Sequence, residues 1–229
     1  MNEIKVELQE TMGSDLSIAN AAWTSTYDKD KRESKYNDSE KINKLVRRLI
    51  LDGHGTPIES VIFRFWIKLP IFVDRQHMTH RIASHNGLSG RYRTMPDNYY
   101  SIPEDVKKIL DKSQLYNLEF KYNSVCDMAY EYYKSAISSL KESEANGVIS
   151  NDEYKRAREI MRCQLPLSGM TERTTIMNLR SFANYQKQRN SNYAQPEIKK
   201  VAELMLEEVK RVNVCPVAIE TLQEIGWRC

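Results

Sequence analysis

A chain of 229 residues can bury a substantial core, and with glycine and proline sparse and scattered it reads as one domain over residues 1–229. A formal net charge of +3, with 34 basic against 31 acidic side chains, disfavours a nucleic-acid binder working through a broad positive face but suits a local anion pocket. No apolar run approaches bilayer-spanning length, the opening Met-Asn-Glu-Ile-Lys-Val-Glu has no signal-peptide core, and Cys126, Cys163, Cys215 and Cys229 are too widely spaced for a Cys-x-x-Cys motif, so a cytoplasmic protein with reduced thiols is expected.

Ile4, Val6 and Leu8 alternate with polar residues and predict a short opening strand. Small residues from Asp15 onward lead into Trp23 and suit a short, tightly packed helix, and the charged run 28–35 suits a solvated loop or frayed helix. Ile42, Leu45, Val46, Leu49 and Ile50 recur at helical spacing and stop at Gly53, a residue type favoured just past a helix end. Val61, Phe63, Phe65, Ile67 and Leu69 alternate as a strand with one buried face, closed by Pro70. Residues 71–81 read as a helix delivering Gln76, His80 and Arg81 to one end of the sheet, and 88–93 alternate as a further strand with its polar face in the site.

A long helical region follows, with a stripe through Val106, Ile109, Leu110, Leu118, Val125, Ala129, Tyr132, Ala136 and Leu140. Its tyrosines are read as core rather than as a stacking platform. Ser150 with Glu153 forms a capping box that starts a helix carrying Arg156 to Arg162, ended by Leu165-Pro166. Another helix is predicted from Thr174 or Thr175 to near Arg189, and residues 194–212 and those after Pro216 are helical by the spacing of Val201, Leu204, Met205 and Val209, then Ile219, Leu222 and Ile225. The fold class is therefore α+β with more helix than strand.

Chemistry is concentrated in residues 75–92, which hold three of the four histidines (His77, His80, His85), together with Arg75, Arg81, Arg91, Ser84, Asn86 and Ser89. Cationic forks, hydroxyls and amides beside glycines suit an anion site, because arginine binds phosphate or carboxylate bidentately and glycine admits close backbone approach. No set of His, Cys, Asp and Glu has metal-ligand spacing, and the arginines would repel a cation, so no metal is expected.

The order His80-Arg81-x-x-Ser84-x-Asn86-x-x-Ser89-x-Arg91-Tyr92 resembles the signature of the flavin-dependent thymidylate synthases, differing at the leading arginine, where Thr79 stands. His54-Gly55-Thr56-Pro57-Ile58-Glu59, Pro70-Ile71-Phe72-Val73-x-Arg75-Gln76, Arg162-x-x-Leu165-Pro166, Asn178-Leu179-Arg180-Ser181-x-x-Asn184, and Arg189 followed by Ala194-Gln195-x-Glu197-Ile198 extend the likeness in the family's order. The resemblance implies helices packed around a mixed β-sheet and a homotetramer with FAD and dUMP sites shared between subunits. It also implies reductive methylation of dUMP to dTMP, with methylenetetrahydrofolate giving the carbon and NADPH the electrons.

Carried over position by position, the resemblance assigns Gln76, Ser89, Gly90, Arg91, Arg162 and Arg189 to dUMP. Arg91 and Arg162 would grip the phosphate, Gln76 would donate to a polar nucleotide edge, and Arg189 would be the catalytic residue that polarises the uracil. It assigns Thr56, His80, Arg81, Asn178, Arg180 and Asn184 to FAD, with His54 and Ser25 as further candidates. No cysteine stands where a covalent nucleophile would be needed, in keeping with that family.

Three departures stand out. Thr79 removes a cation expected near flavin and nucleotide, Gly87 replaces a common glutamate, and Tyr193 replaces a frequent histidine. They leave open a flavin-dependent methylase or hydroxymethylase of a related uridine nucleotide. Taken singly, His77 and His85 read as structural hydrogen-bonders, Arg162 and Arg180 as surface charges, and Asn178 and Asn184 as capping or surface residues. A non-enzymatic RNA-binding protein is the alternative from a different class.

Overall fold

In the computed structural model, which describes residues 3–228, the chain runs through β1 (Lys5–Met12), α1 (Asp15–Trp23), α2 (Lys29–Glu33), α3 (Ser39–Leu51), α4 (Gly55–Ile58), β2 (Ile62–Pro70), α5 (Ile71–His77) and β3 (Ser84–Gly87). Then come α6 (Glu104–Lys107), α7 (Lys112–Ala145), α8 (Asn151–Met161), a 3₁₀ turn at Arg162–Gln164, β4 (Met170–Asn178), α9 (Leu179–Arg189), α10 (Pro196–Val212) and α11 (Pro216–Glu224). The class is α+β, as expected. Two compact units are formed, one mainly from residues 69–74 and 87–171, the other from 4–68, 75–86 and 172–228.

The second unit holds a four-stranded sheet of order β1-β2-β4-β3. β1 runs antiparallel to β2, with Val6 opposite Ile67 and Met12 opposite Ile62, and a bulge between Leu8 and Glu10 carries the strand beyond the predicted Leu8. On β2 the predicted alternation holds: Phe63, Phe65, Ile67 and Leu69 are buried, and Phe63 meets Phe182 of α9 edge-on at 5.3 Å. α3 buries Ile42, Val46 and Ile50 after Asp38 caps it through the Lys41 amide. Gly13 has φ +89, and a Cβ there would lie 2.6 Å from the Ser60 carbonyl oxygen, so the turn after β1 requires glycine.

In the first unit α7 buries Cys126, Tyr130, Tyr133 and Ile137. The stripe predicted through Leu118, Val125 and Tyr132 is exposed, because the buried face of α7 lies one residue further round the helix. The tyrosines on that face are core, and tyrosine hydroxyls also tether the irregular segment that follows β3. Tyr130 donates to the Asn98 carbonyl at 2.9 Å, Tyr122 to the Tyr100 carbonyl at 2.6 Å, and Tyr133 accepts from the Met95 amide at 3.2 Å. α8 starts with the predicted capping box at Ser150 and Glu153.

Three further sequence expectations need correction. The strand foreseen at 88–93 is instead at Ser84–Gly87, and residues 89–93 turn, with the amides of Tyr92 and Arg93 both reaching the Ser89 carbonyl. The helix foreseen from Thr174 or Thr175 starts only at Leu179, and the residues before it form β4. α5 stops at His77 rather than Arg81, because the Thr79 hydroxyl donates to the Gln76 carbonyl at 2.7 Å and closes the end of the helix. Among the described residues no helix is long and apolar enough to cross a membrane. Cys126, Cys163 and Cys215 are free thiols, and Cys229 lies outside the described residues.

Candidate functional site

β4 and the motif segment build the second unit's polar centre. The buried face of β4 carries Thr171, Arg173, Thr175 and Met177. Thr175 is shared by two imidazoles, at 2.8 Å from Nε2 of His77 and 3.1 Å from Nδ1 of His85, and the other nitrogen of His77 lies 2.9 Å from the Tyr185 hydroxyl. Burial, followed by the neighbouring His85 and Arg173, holds His77 well below the ordinary histidine pKa, so it sits as a neutral structural ring. His77 and His85 thus fix the motif segment against the sheet, the role read for them from the sequence.

Above that network α9 ends at Arg189. The Arg189 Nε donates to Nε2 of His80 at 2.9 Å, and its Nη2 donates to the Thr79 hydroxyl at 3.0 Å. Burial and the charge of Arg189 lower the pKa of His80 to about 4. A neutral ring accepting at Nε2 carries its proton on Nδ1. Gln76, on the last turn of α5, donates its amide to Gln195 at 2.5 Å. The donor role foreseen for Gln76 is therefore engaged within the chain, which orients its amide.

A cleft of about 990 Å³, in the size range of small-molecule sites, is lined by His80, Arg81, Asn178, Arg180 and Asn184. These are five of the six positions assigned to FAD. The sixth, Thr56, lines a neighbouring cavity of about 590 Å³ with His54, Ser25 and, again, Arg180. Arg180 links the two: its guanidinium lies against Gly55, where a Cβ would come within 2.8 Å of Cζ, and Nη1 bonds Glu59 at 2.8 Å. Asn178 caps α9 through the Ser181 amide, so its side chain both starts the helix and faces the cleft. Asn184 accepts from Gln188 at 3.0 Å.

The first unit gathers the other assigned residues. Ser89 opens the turn, its hydroxyl accepting from the Arg91 amide at 3.3 Å. A Cβ on Gly90 would stand 2.9 Å from Cδ of Arg162, so glycine there lets the Arg162 side chain lie across the turn. Both arginines are tied to Glu159: Arg91 Nε bonds its carboxylate at 2.6 Å, and Arg162 Nε donates to its carbonyl at 3.2 Å. Ser89, Gly90, Arg91 and Arg162 thus form one local cationic cluster, while Gln76 and Arg189 belong to the second unit.

Sequence reasoning missed Glu59, Glu159, Gln188 and Gln195 as partners of these residues. The four-residue spacing of Asn184 and Gln188 was a usable signal. The long-range pairs had none. Among the described residues, no group of three or more His, Cys, Asp or Glu side chains is placed to hold a metal ion.

The family model described as thymidylate synthase complementing protein matches residues 7–217. The flavin-dependent thymidylate synthase of Pseudothermotoga lettingae is 31% identical, the match covering 94% of this chain and 88% of the relative. That of Kosmotoga olearia is 34% identical over 97% of this chain and 91% of the relative. The crystal structure of the UMP/dUMP methylase PolB from Streptomyces cacaoi bound with 5-Br dUMP superposes with a TM-score of 0.77 at 26% identity, over 99% of this chain and 97% of that one.

Proposed function

The chain belongs to the flavin-dependent thymidylate synthase family, and from that premise we propose that it methylates dUMP to dTMP, with methylenetetrahydrofolate as carbon donor and NADPH as reductant. The observation that carries the reading is the cleft at the end of α9, where five of the six positions assigned to FAD line one surface that continues to Arg189 through His80. Guanidinium and amide donors around that cleft, with Arg180 laid against Gly55, fit a ligand carrying phosphates and a polar heteroaromatic ring. His80, Arg81, Asn178, Arg180 and Asn184 would hold FAD, with Thr56, His54 and Ser25 extending its site. When bound, FAD would supply a hydride to the pyrimidine.

The chain's own residues supply positioning and charge. Arg189 faces the uracil and stabilises negative charge that develops at its N3 and carbonyl edge, so that C5 becomes the better nucleophile. His80, neutral and accepting from Arg189, orients the guanidinium without competing for the anion. Arg91 and Arg162, with Ser89 and the backbone at Gly90, take the nucleotide phosphate, and the bonds of both arginines to Glu159 hold their side chains together until it arrives. Gln76, oriented by Gln195, contacts the nucleotide.

The reading takes residues 1–229 as one catalytic domain, supported by a family match that runs across both compact units. It also takes a homotetramer in which different subunits complete each site. Exposed apolar side chains on α7, among them Phe120 at 62% and Met128 at 60% exposure, are the kind of surface that association covers. Free thiols fit a cytoplasmic enzyme.

Parallel anaerobic incubations of dUMP and of UMP with methylenetetrahydrofolate, FAD and NADPH, each followed by mass measurement of the nucleotide, test the proposal. Replacement of one hydrogen by methyl supports it. A hydroxymethyl product, or methylation only of UMP, supports the second reading, a related uridine-nucleotide enzyme, which the likeness to PolB favours. An unchanged nucleotide contradicts both.

A further inference from the structure

We propose that Thr79 is a positioning residue for Arg189. The inference rests on the reading of Arg189 as the group that faces the pyrimidine. The Thr79 hydroxyl donates its one proton to the Gln76 carbonyl at 2.7 Å and accepts from Nη2 of Arg189 at 3.0 Å. Because the proton is committed to the carbonyl at the end of α5, the oxygen lone pairs are directed at the guanidinium. A second bond, from Nε to His80 at 2.9 Å, comes from another nitrogen of the same planar group. Two bonds from two nitrogens fix both the plane and the rotation of a guanidinium. Nη1 makes no hydrogen bond among the described residues and is left to face a ligand.

The arrangement gives a physical sense to a neutral residue at position 79. A threonine holds Arg189 from there with no charge.

Thr79 is exposed, so its replacement leaves the core intact and separates positioning from folding. Thr79→Val, near in shape but without the hydroxyl, should lower kcat by about tenfold or more, the effect of losing a hydrogen bond to a charged group, with KM for dUMP changed less and the thermal midpoint lowered by only about 2–4 °C for the bond lost at the end of α5. Thr79→Ser should recover most of the lost rate. Independently of turnover, side-chain NMR of Arg189 should show slowed Nε–Cζ rotation in the parent and in Thr79→Ser, and averaged signals in Thr79→Val. Parent-like kcat and slowed rotation in Thr79→Val would overturn the proposal. If Arg189→Ala itself keeps full turnover, the underlying reading of the site fails instead, and Thr79 falls with it.

Discussion

At Arg189 a single charge is held by two neutral partners, and each partner makes a separate prediction. His80 is neutral because it is half-buried beside Arg189, and a proton added to it would remove the acceptor at Nε2 and set two cations together. Its ring should titrate by NMR with a midpoint of about 4, and a midpoint at the ordinary value of 6.5 would contradict the geometry. The folded state holds the proton less tightly than the unfolded chain does. The stability attributable to His80 is therefore full above about 6.5 and declines as the pH falls toward 4. Arg189→Ala should leave FAD bound and reduce kcat by about a hundredfold or more, the scale of losing a preorganised charge at the reacting group. In the other cluster Arg91→Ala should weaken dUMP binding by about tenfold or more, read by calorimetry, because one charge-assisted phosphate contact is lost. An unchanged dissociation constant would remove Arg91 from the site.

The elements that carry these residues were unevenly legible. β2 and α3 follow from periodicity because one face of each is apolar and buried. β4 does not. Its buried face is Thr171, Arg173, Thr175 and Met177, polar groups satisfied in part by imidazoles from residues about ninety positions away, so the two-residue period is hidden in polar types. β3 is four residues of Ser-His-Asn-Gly, an edge strand defined by its neighbour rather than by its own pattern. The motif order nominated the candidate residues, yet the partners that orient them, Gln195 for Gln76, Glu59 for Arg180 and Thr79 for Arg189, are tertiary pairs with no local signal. The turn between β1 and α1 shows the same dependence on packing. Gly13→Ala should destabilise the fold by about 1–3 kcal/mol in denaturant unfolding, because it combines a left-handed backbone with a 2.6 Å approach to the Ser60 carbonyl oxygen. A loss below about 0.5 kcal/mol, the range of an ordinary surface change, would show that the turn relaxes.

For the whole molecule, the family match across residues 7–217 runs through both compact units, and the proposed account places its ligands at the cationic turn at Ser89–Arg91 and in the cleft at α9. Sedimentation should find four chains in the assembly, and a monomer at working concentration would contradict sites shared between subunits. The most direct measurement is a crystal structure of the protein soaked with FAD and dUMP. The account predicts the isoalloxazine in the cleft lined by His80, Asn178 and Arg180, with the uracil edge against Arg189. A flavin bound elsewhere, or a pyrimidine remote from Arg189, would contradict it.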